Sequence, residues 1–305
     1  MEEGWGKRIL RLITPLLIYE GMSFIVELIM SAVWAVRHMD SFVSSANVLD
    51  QQALINGLLK FTVKYALLMQ GLAALASLFF LYRMYIKDYL KRRYVFDKSS
   101  VKRQMWLLLI PTGIFASAAG NCFLNIGSWA QNSDAFTTSE SMLFSGPFIF
   151  QLIFIGLVIP VCEELIFRGL IYMRMRQYAN VNVAIVMSAM IFAVMHGNLV
   201  QGIYAFVIGI LFAYIYEKYG SLFAPIVLHV CANMLSLAIG RMGDLDIAVS
   251  RTAFLVCCGA VSLAVTMILV FFIDRHVDAD RIYLNAADNP SGGNLQTGGS
   301  ADDGK

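Results

Sequence analysis

Apolar residues run through this chain in blocks long enough to cross a bilayer, separated by short polar stretches. The blocks cover roughly 9–36, 53–82, 105–128, 147–176, 183–197, 199–217, 221–239 and 252–273. A bilayer's hydrocarbon core takes about 20 helical residues, and a helix satisfies its own backbone hydrogen bonds in lipid. The pattern predicts an all-α polytopic membrane protein with about eight transmembrane helices. The fifth block is short, and the fourth must continue as helix into water. No internal repeat with matched helix breaks divides the chain, as it would in an inverted-repeat transporter.

The polar stretches predict an orientation. "RMYIKDYLKRRYVFDKSSVKRQ" (83–104) and "RGLIYMRMRQYAN" (168–180) are rich in Lys and Arg, whereas "AQNSDAFTTSESMLFSG" (130–146) has neither and carries Asp134 and Glu140. Basic loops stay cytoplasmic, and Lys7, Arg8 and Arg11 fit a cytoplasmic start. An even number of spans then returns the C-terminus to the same side. The opening residues read as a retained first span, since no small-residue cleavage site follows a short apolar core. Residues 1–273 form one transmembrane domain on this reading, and 274–305 a cytoplasmic tail. Its end, "DNPSGGNLQTGGSADDGK", has almost nothing to bury and should be disordered.

Composition agrees. Of 305 residues 58% are hydrophobic and 14% charged, against roughly 25% charged in soluble domains. With a net charge of +2 and no basic stripe outside the loops, nucleic acid is not an expected partner; the bilayer is. The five cysteines lie in apolar segments, without metal-site spacing or a disulfide framework, and read as small core residues.

Against that background a few polar groups stand out at membrane depth. "VCEELIFRGL" (161–170) holds Glu163, Glu164 and Arg168; "FAVMHGN" (192–198) holds His196; "VLHVCANML" (227–235) holds His229 and Asn233. Charges there cost several kcal/mol each, roughly, and mark functional candidates by default. If the fourth and fifth spans end near 176 and 183, Glu163 and His196 each lie 13 residues from the turn, about 20 Å up at 1.5 Å per residue. His229 comes out shallower, about 12 Å along the seventh span. Glu164 and Arg168 are i, i+4, as are His229 and Asn233, so each pair shares a helix face. Arg168 neutralising Glu164 would leave Glu163 free to act as a general base. The bland alternative is a polar network that only fixes helix register.

Hydrolysis of a peptide needs an activated water, a proton shuttle and donors where negative charge develops. A Glu–His pair supplies the first two, and a His–Asn face supplies donors. Glu163, His196 and His229 are also a conceivable zinc set, although no HExxH occurs. Outside this group, Glu27 on the first span mirrors a point between Lys60 and Lys64 on the second, which predicts a structural ion pair.

"EELIFR", "FAVMH" and "HVCAN" fit EExxxR, FxxxH and HxxxN, in order and one per helix. Over about 145–240 the chain resembles the CPBP family, which joins type II CAAX prenyl endopeptidases with bacteriocin-processing and immunity (Abi) proteins. The resemblance implies that Glu163 activates the attacking water with His196 as its partner. It implies that His229 and Asn233 steady the oxyanion, that Glu164 and Arg168 support the first motif, and that Phe192 packs the second. The implied activity is an intramembrane endopeptidase acting on a membrane-associated, in some cases lipidated, peptide or protein. Its site would face the cytoplasmic half of the bilayer, the plasma membrane in a bacterium. The family is often labelled metalloprotease, and a metal-free glutamate mechanism and a zinc mechanism would use the same residues. Two other classes remain open: a non-catalytic immunity or scaffold protein that binds a partner in the same cavity, and a proton-coupled transporter.

Overall fold

The computed structural model describes residues 4–43, 50–91, 94–97, 101–126, 129–144, 146–242 and 251–283. Its helices are α1 (Trp5–His38), α2 (Gln51–Tyr89), α3 (Leu109–Asn125), α4 (Asp134–Leu143), α5 (Phe148–Met175), α6 (Val181–Val194), α7 (Leu199–Tyr219), α8 (Phe223–Met242) and α9 (Arg251–His276). A 3-10 turn, Arg103–Leu108, leads into α3. Among the described residues seven helices are long and apolar enough to cross a membrane; the short fifth block is α6, with 14 residues. The protein is an all-α polytopic membrane protein apart from one small feature. Strands β1 (Tyr94–Asp97) and β2 (Asp280–Tyr283) pair antiparallel, Tyr94 opposite Tyr283. The start of the expected tail is thereby tied to the end of α2, and 288–305 lie outside the described residues.

Helix ends follow local chemistry. Asp50, Asn180 and Asn198 accept a backbone N–H three residues on, from Ala53, Val183 and Gln201, which caps α2, α6 and α7. Gly220 ends α7 in the left-handed region at φ 59°, where a Cβ would be strained.

One end of the bundle gathers the start of α1 and the ends of α2, α5, α7 and α9. Arg11 donates to the Tyr178 hydroxyl at 3.0 Å, Arg174 Nε meets Asp88 Oδ2 at 2.6 Å, and Lys218 Nζ meets Asp274 Oδ1 at 2.9 Å. Both ends of the helical domain therefore lie on one side. Pro15 sits inside α1 and has no N–H, so the carbonyl of Arg11 loses its intrahelical partner. Arg174 supplies one through Nη1, which fastens α1 to α5.

Close approach in the interior depends on small residues. A Cβ added to Gly71 of α2 would fall 2.2 Å from Cδ1 of Phe154 on α5, and one on Gly113 of α3 would fall 2.7 Å from the Leu228 carbonyl oxygen of α8. A polar seam also joins α3 to α8: Ser117 Oγ donates to the Ala232 carbonyl at 2.8 Å and Asn121 Nδ2 to Ser236 Oγ at 2.9 Å. Among the described residues no ion pair joins Glu27 to Lys60 or Lys64. Glu27, Lys60 and Lys64 are all exposed, with the Lys64 ammonium over the Tyr65 ring.

Candidate active site

The helix that carries Glu163 and Glu164 is irregular. α5 contains two π-helical stretches, Phe154–Val158 and Leu165–Tyr172, with a single α-helical segment, Ile159–Glu164, between them. Such i→i+5 stretches are costly and concentrate at functional sites. In the first, Ile159 N–H bonds the carbonyl of Phe154. The next bond in that register would join Ile155 to residue 160, which is proline and has no N–H. The stranded Ile155 carbonyl accepts instead from Asn233 Nδ2, at 2.8 Å. Asn233 thus splints the turn just before the two glutamates and keeps one further amide hydrogen to give.

Below that turn lies a buried charge network. Glu164 and Arg168 have fully buried side chains, and Arg168 Nη1 donates to Glu164 Oε1 at 2.9 Å. Arg168 Nη2 donates to the Gly209 carbonyl at 2.9 Å, and the guanidinium lies 4.7 Å from the Phe192 ring centre and 5.3 Å from that of Phe212. Two aromatic faces and a backbone acceptor make this cation tolerable away from water. Glu164 Oε1 is shared: His229 Nδ1 lies 2.8 Å from it. An ionised carboxylate only accepts, so that nitrogen carries the proton and the ring's other nitrogen, Nε2, is aimed elsewhere.

Nε2 of His229 points at Glu163, 3.6 Å from Oε2. Here the structure departs from the expected pairing. Glu163 faces His229, and no hydrogen bond or ion pair joins it to His196 among the described residues. The count along α8 set His229 shallower than Glu163, yet the two side chains meet. His196 lies in the tight turn after α6, followed by Gly197 at φ 73°. Its Nδ1 donates to the Phe192 carbonyl at 2.8 Å, which leaves Nε2 as the acceptor of the neutral ring. Phe192 stands between the two imidazoles, edge-on to both, at 4.7 Å from His196 and 6.0 Å from His229. Glu163 is half-buried and His196 likewise, while His229 is buried. Of this group Glu163 and His196 are the most open to an incoming molecule.

The arrangement stacks a half-open carboxylate, a buried imidazole, a buried carboxylate and a buried guanidinium in line. A proton taken by Glu163 can be shared along Glu163–His229 while Glu164 and Arg168 hold the ring's tautomer and tilt. The zinc set, Glu163, His196 and His229, does not converge: among the described residues no three His, Cys, Asp or Glu side chains are arranged to hold a metal ion. Gly209 and Phe212 of α7 escaped sequence reading, since a backbone carbonyl and one more phenylalanine in an apolar run give no signal.

Residues 145–235 match the family model for Rce1-like type II CAAX prenyl endopeptidases. Over this stretch, less than half of its length, the chain is similar to that family. The stretch runs from just before α5 into α8 and contains each of the candidate residues, in agreement with the resemblance carried by the three motifs. The Rce1-like match supports a CAAX-type intramembrane protease in general terms, within an integral, multi-pass membrane protein. No curated protein and no solved structure matches.

Proposed function

We propose that this protein hydrolyses a peptide bond of a membrane-associated, lipidated peptide or protein by a glutamate-activated water, without an obligatory metal. The observation that carries the reading is the half-open Glu163 carboxylate, 3.6 Å from His229 Nε2 and backed by the fully buried Glu164–Arg168 pair. Water held at Glu163 Oε2 loses its proton to the carboxylate as its oxygen attacks the scissile carbonyl carbon. Negative charge then grows on the carbonyl oxygen. The spare amide hydrogen of Asn233 and the proton shared toward His229 Nε2 stabilise it, and preorganised donors of this kind are each worth about a hundredfold or more in rate. Glu163 then returns that proton to the leaving nitrogen, and His196, with Nε2 unprotonated and the ring braced by Phe192, accepts a hydrogen bond from the substrate.

The end that gathers Arg8, Arg11, Arg174 and Lys218 is assigned to the cytoplasm by the positive-inside rule, with both termini there and the site opening toward that half of the bilayer. The test is Glu163→Gln in native membranes. The variant inserts and folds like the parent, its substrate accumulates uncut, and proteomic comparison identifies the peptide. Unchanged cleavage by the Gln variant would remove the hydrolase reading.

A further inference from the structure

The matched stretch begins at residue 145, and α1, which precedes it, packs against the helix that carries Glu163. Tyr19 lies one turn after Pro15, the residue whose missing N–H frees the Arg11 carbonyl for Arg174. With α1 fastened to α5 at Arg11 and Arg174, Tyr19 is about 12 Å further along α1, and Glu163, back through the π stretch of α5, is at most about 17 Å away along its helix. The two positions are thus within a helical turn of the same depth. The Tyr19 hydroxyl is within electrostatic reach of the Glu163 carboxylate and near Gln70 of α2. That hydroxyl is buried and makes no hydrogen bond that meets geometric criteria among the described residues. A buried donor left unmade is a standing cost to the fold, one that persists where a ligand later makes the bond.

Asn233 sharpens the point. One of its two amide hydrogens is committed to the Ile155 carbonyl, so the site is short of donors on the side where negative charge must develop. An uncommitted phenol beside Glu163 meets that need. We propose that Tyr19 Oη is a catalytic hydrogen-bond donor, given to the carbonyl oxygen of the scissile peptide and strengthened as that oxygen becomes an oxyanion. This rests on the hydrolytic reading of Glu163, and it makes α1, which lies outside the matched stretch, part of the active site.

The experiment uses the full chain in detergent or nanodiscs, with an internally quenched peptide ending in a farnesylated CAAX sequence as probe. Tyr19→Phe is expected to lower kcat by about a hundredfold while leaving KM within about twofold, because the bond forms mainly in the transition state. Its thermal midpoint should equal the parent's or exceed it, since the oxygen removed had no partner. Gln70→Leu serves as the companion variant. If the hydroxyl's task were to hold Gln70, Tyr19→Phe and Gln70→Leu would lose the same stability and cleavage would follow that loss, which overturns the proposal. Parental kcat in Tyr19→Phe overturns it as well. A parent that fails to cut the probe, whatever Tyr19→Phe does, instead brings down the proposed function and the role of Tyr19 with it.

Discussion

His229 and Arg168 meet at a single atom. Nδ1 of the one lies 2.8 Å from Glu164 Oε1, and Nη1 of the other donates to the same oxygen at 2.9 Å. One buried carboxylate therefore neutralises a guanidinium on its own helix and fixes the tautomer of an imidazole on α8. The pair is an orienting device as much as a structural one, and stability and catalysis should separate when it is dissected.

Arg168→Met is the first dissection. It leaves Glu164 buried without its counter-charge, a change that typically costs about 3–5 kcal/mol. Thermal unfolding in detergent should show a large drop in midpoint. Replacing both partners, Glu164→Leu with Arg168→Met, removes the unpaired charge and should recover most of the midpoint, as apolar replacements of buried pairs often do. Cleavage stays lost in the double variant, because His229 Nδ1 has no acceptor to hold its proton. A double variant that is both stable and active would reduce the network to a fold-specificity device.

Asn233 and Pro160 yield a second prediction. If the amide is needed because proline cannot bond the Ile155 carbonyl, Asn233→Ala should cost about 1–3 kcal/mol, the usual penalty for orphaning a buried acceptor. Pro160→Ala restores an N–H at the position the π register calls for. The two changes together should then be less damaging than their sum, with a coupling of about 0.5–3 kcal/mol in a double-mutant cycle. Catalysis gives the other half of the answer: the double variant stays slow if the second amide hydrogen serves the oxyanion. Strict additivity in stability would show that the proline and the amide are independent.

Much of this centre could be read before any coordinates. The i, i+4 spacing of Glu164 and Arg168 implied their contact, which forms, whereas equal counts from the α5–α6 turn paired Glu163 with His196, and Glu163 faces His229 instead. Three things were hidden, each for a physical reason. The π stretches of α5 fall in a run that is apolar on all sides, so no periodicity marks a change from four- to five-residue bonding. His229 was counted shallower than Glu163 along its own helix, and its contact with both glutamates was missed. Tyr19 belongs to a helix with no motif at all, and a hydroxyl's lack of a partner is a property of three-dimensional packing. The expected Glu27–lysine pair has the opposite lesson: matched depth on neighbouring helices does not fix which way a side chain faces, and all three side chains face outward.

Helix contact by small residues is tested at Gly71. A methyl there would overlap the Phe154 ring, with Cγ at 2.3 Å and Cδ1 at 2.2 Å, and α2 must move away or the ring must turn. Overpacking of this kind costs about 1–3 kcal/mol. Phe154 opens the first π stretch, so Gly71→Ala should also disturb the Ile155–Asn233 contact and slow cleavage beyond its effect on stability. Adding Phe154→Leu makes room and should restore both the midpoint and the rate. If Gly71→Ala behaves like the parent, α2 and α5 are not held together at this point.

The last prediction concerns metal. Zinc would need Glu163, His196 and His229 to turn toward one point at roughly 2 Å each, and these side chains are held elsewhere. His229 gives Nδ1 to Glu164 and directs Nε2 at Glu163, while His196 is fixed by the Phe192 carbonyl in a glycine turn on another helix. With both Nδ1–H groups given to Glu164 and the Phe192 carbonyl, zinc would have to take the two Nε2 atoms, and among the described residues these do not converge with Glu163 on a metal site. Exhaustive treatment with EDTA, followed by elemental analysis to confirm removal, is therefore expected to leave both the cleavage rate and the thermal midpoint unchanged. Added zinc should not raise the midpoint, because a ligand stabilises only in proportion to its preference for the folded state. A zinc-dependent rise that disappears in His196→Ala and in His229→Ala would mean that the three donors do converge in the working enzyme, and activation of the water would pass from Glu163 alone to a metal site.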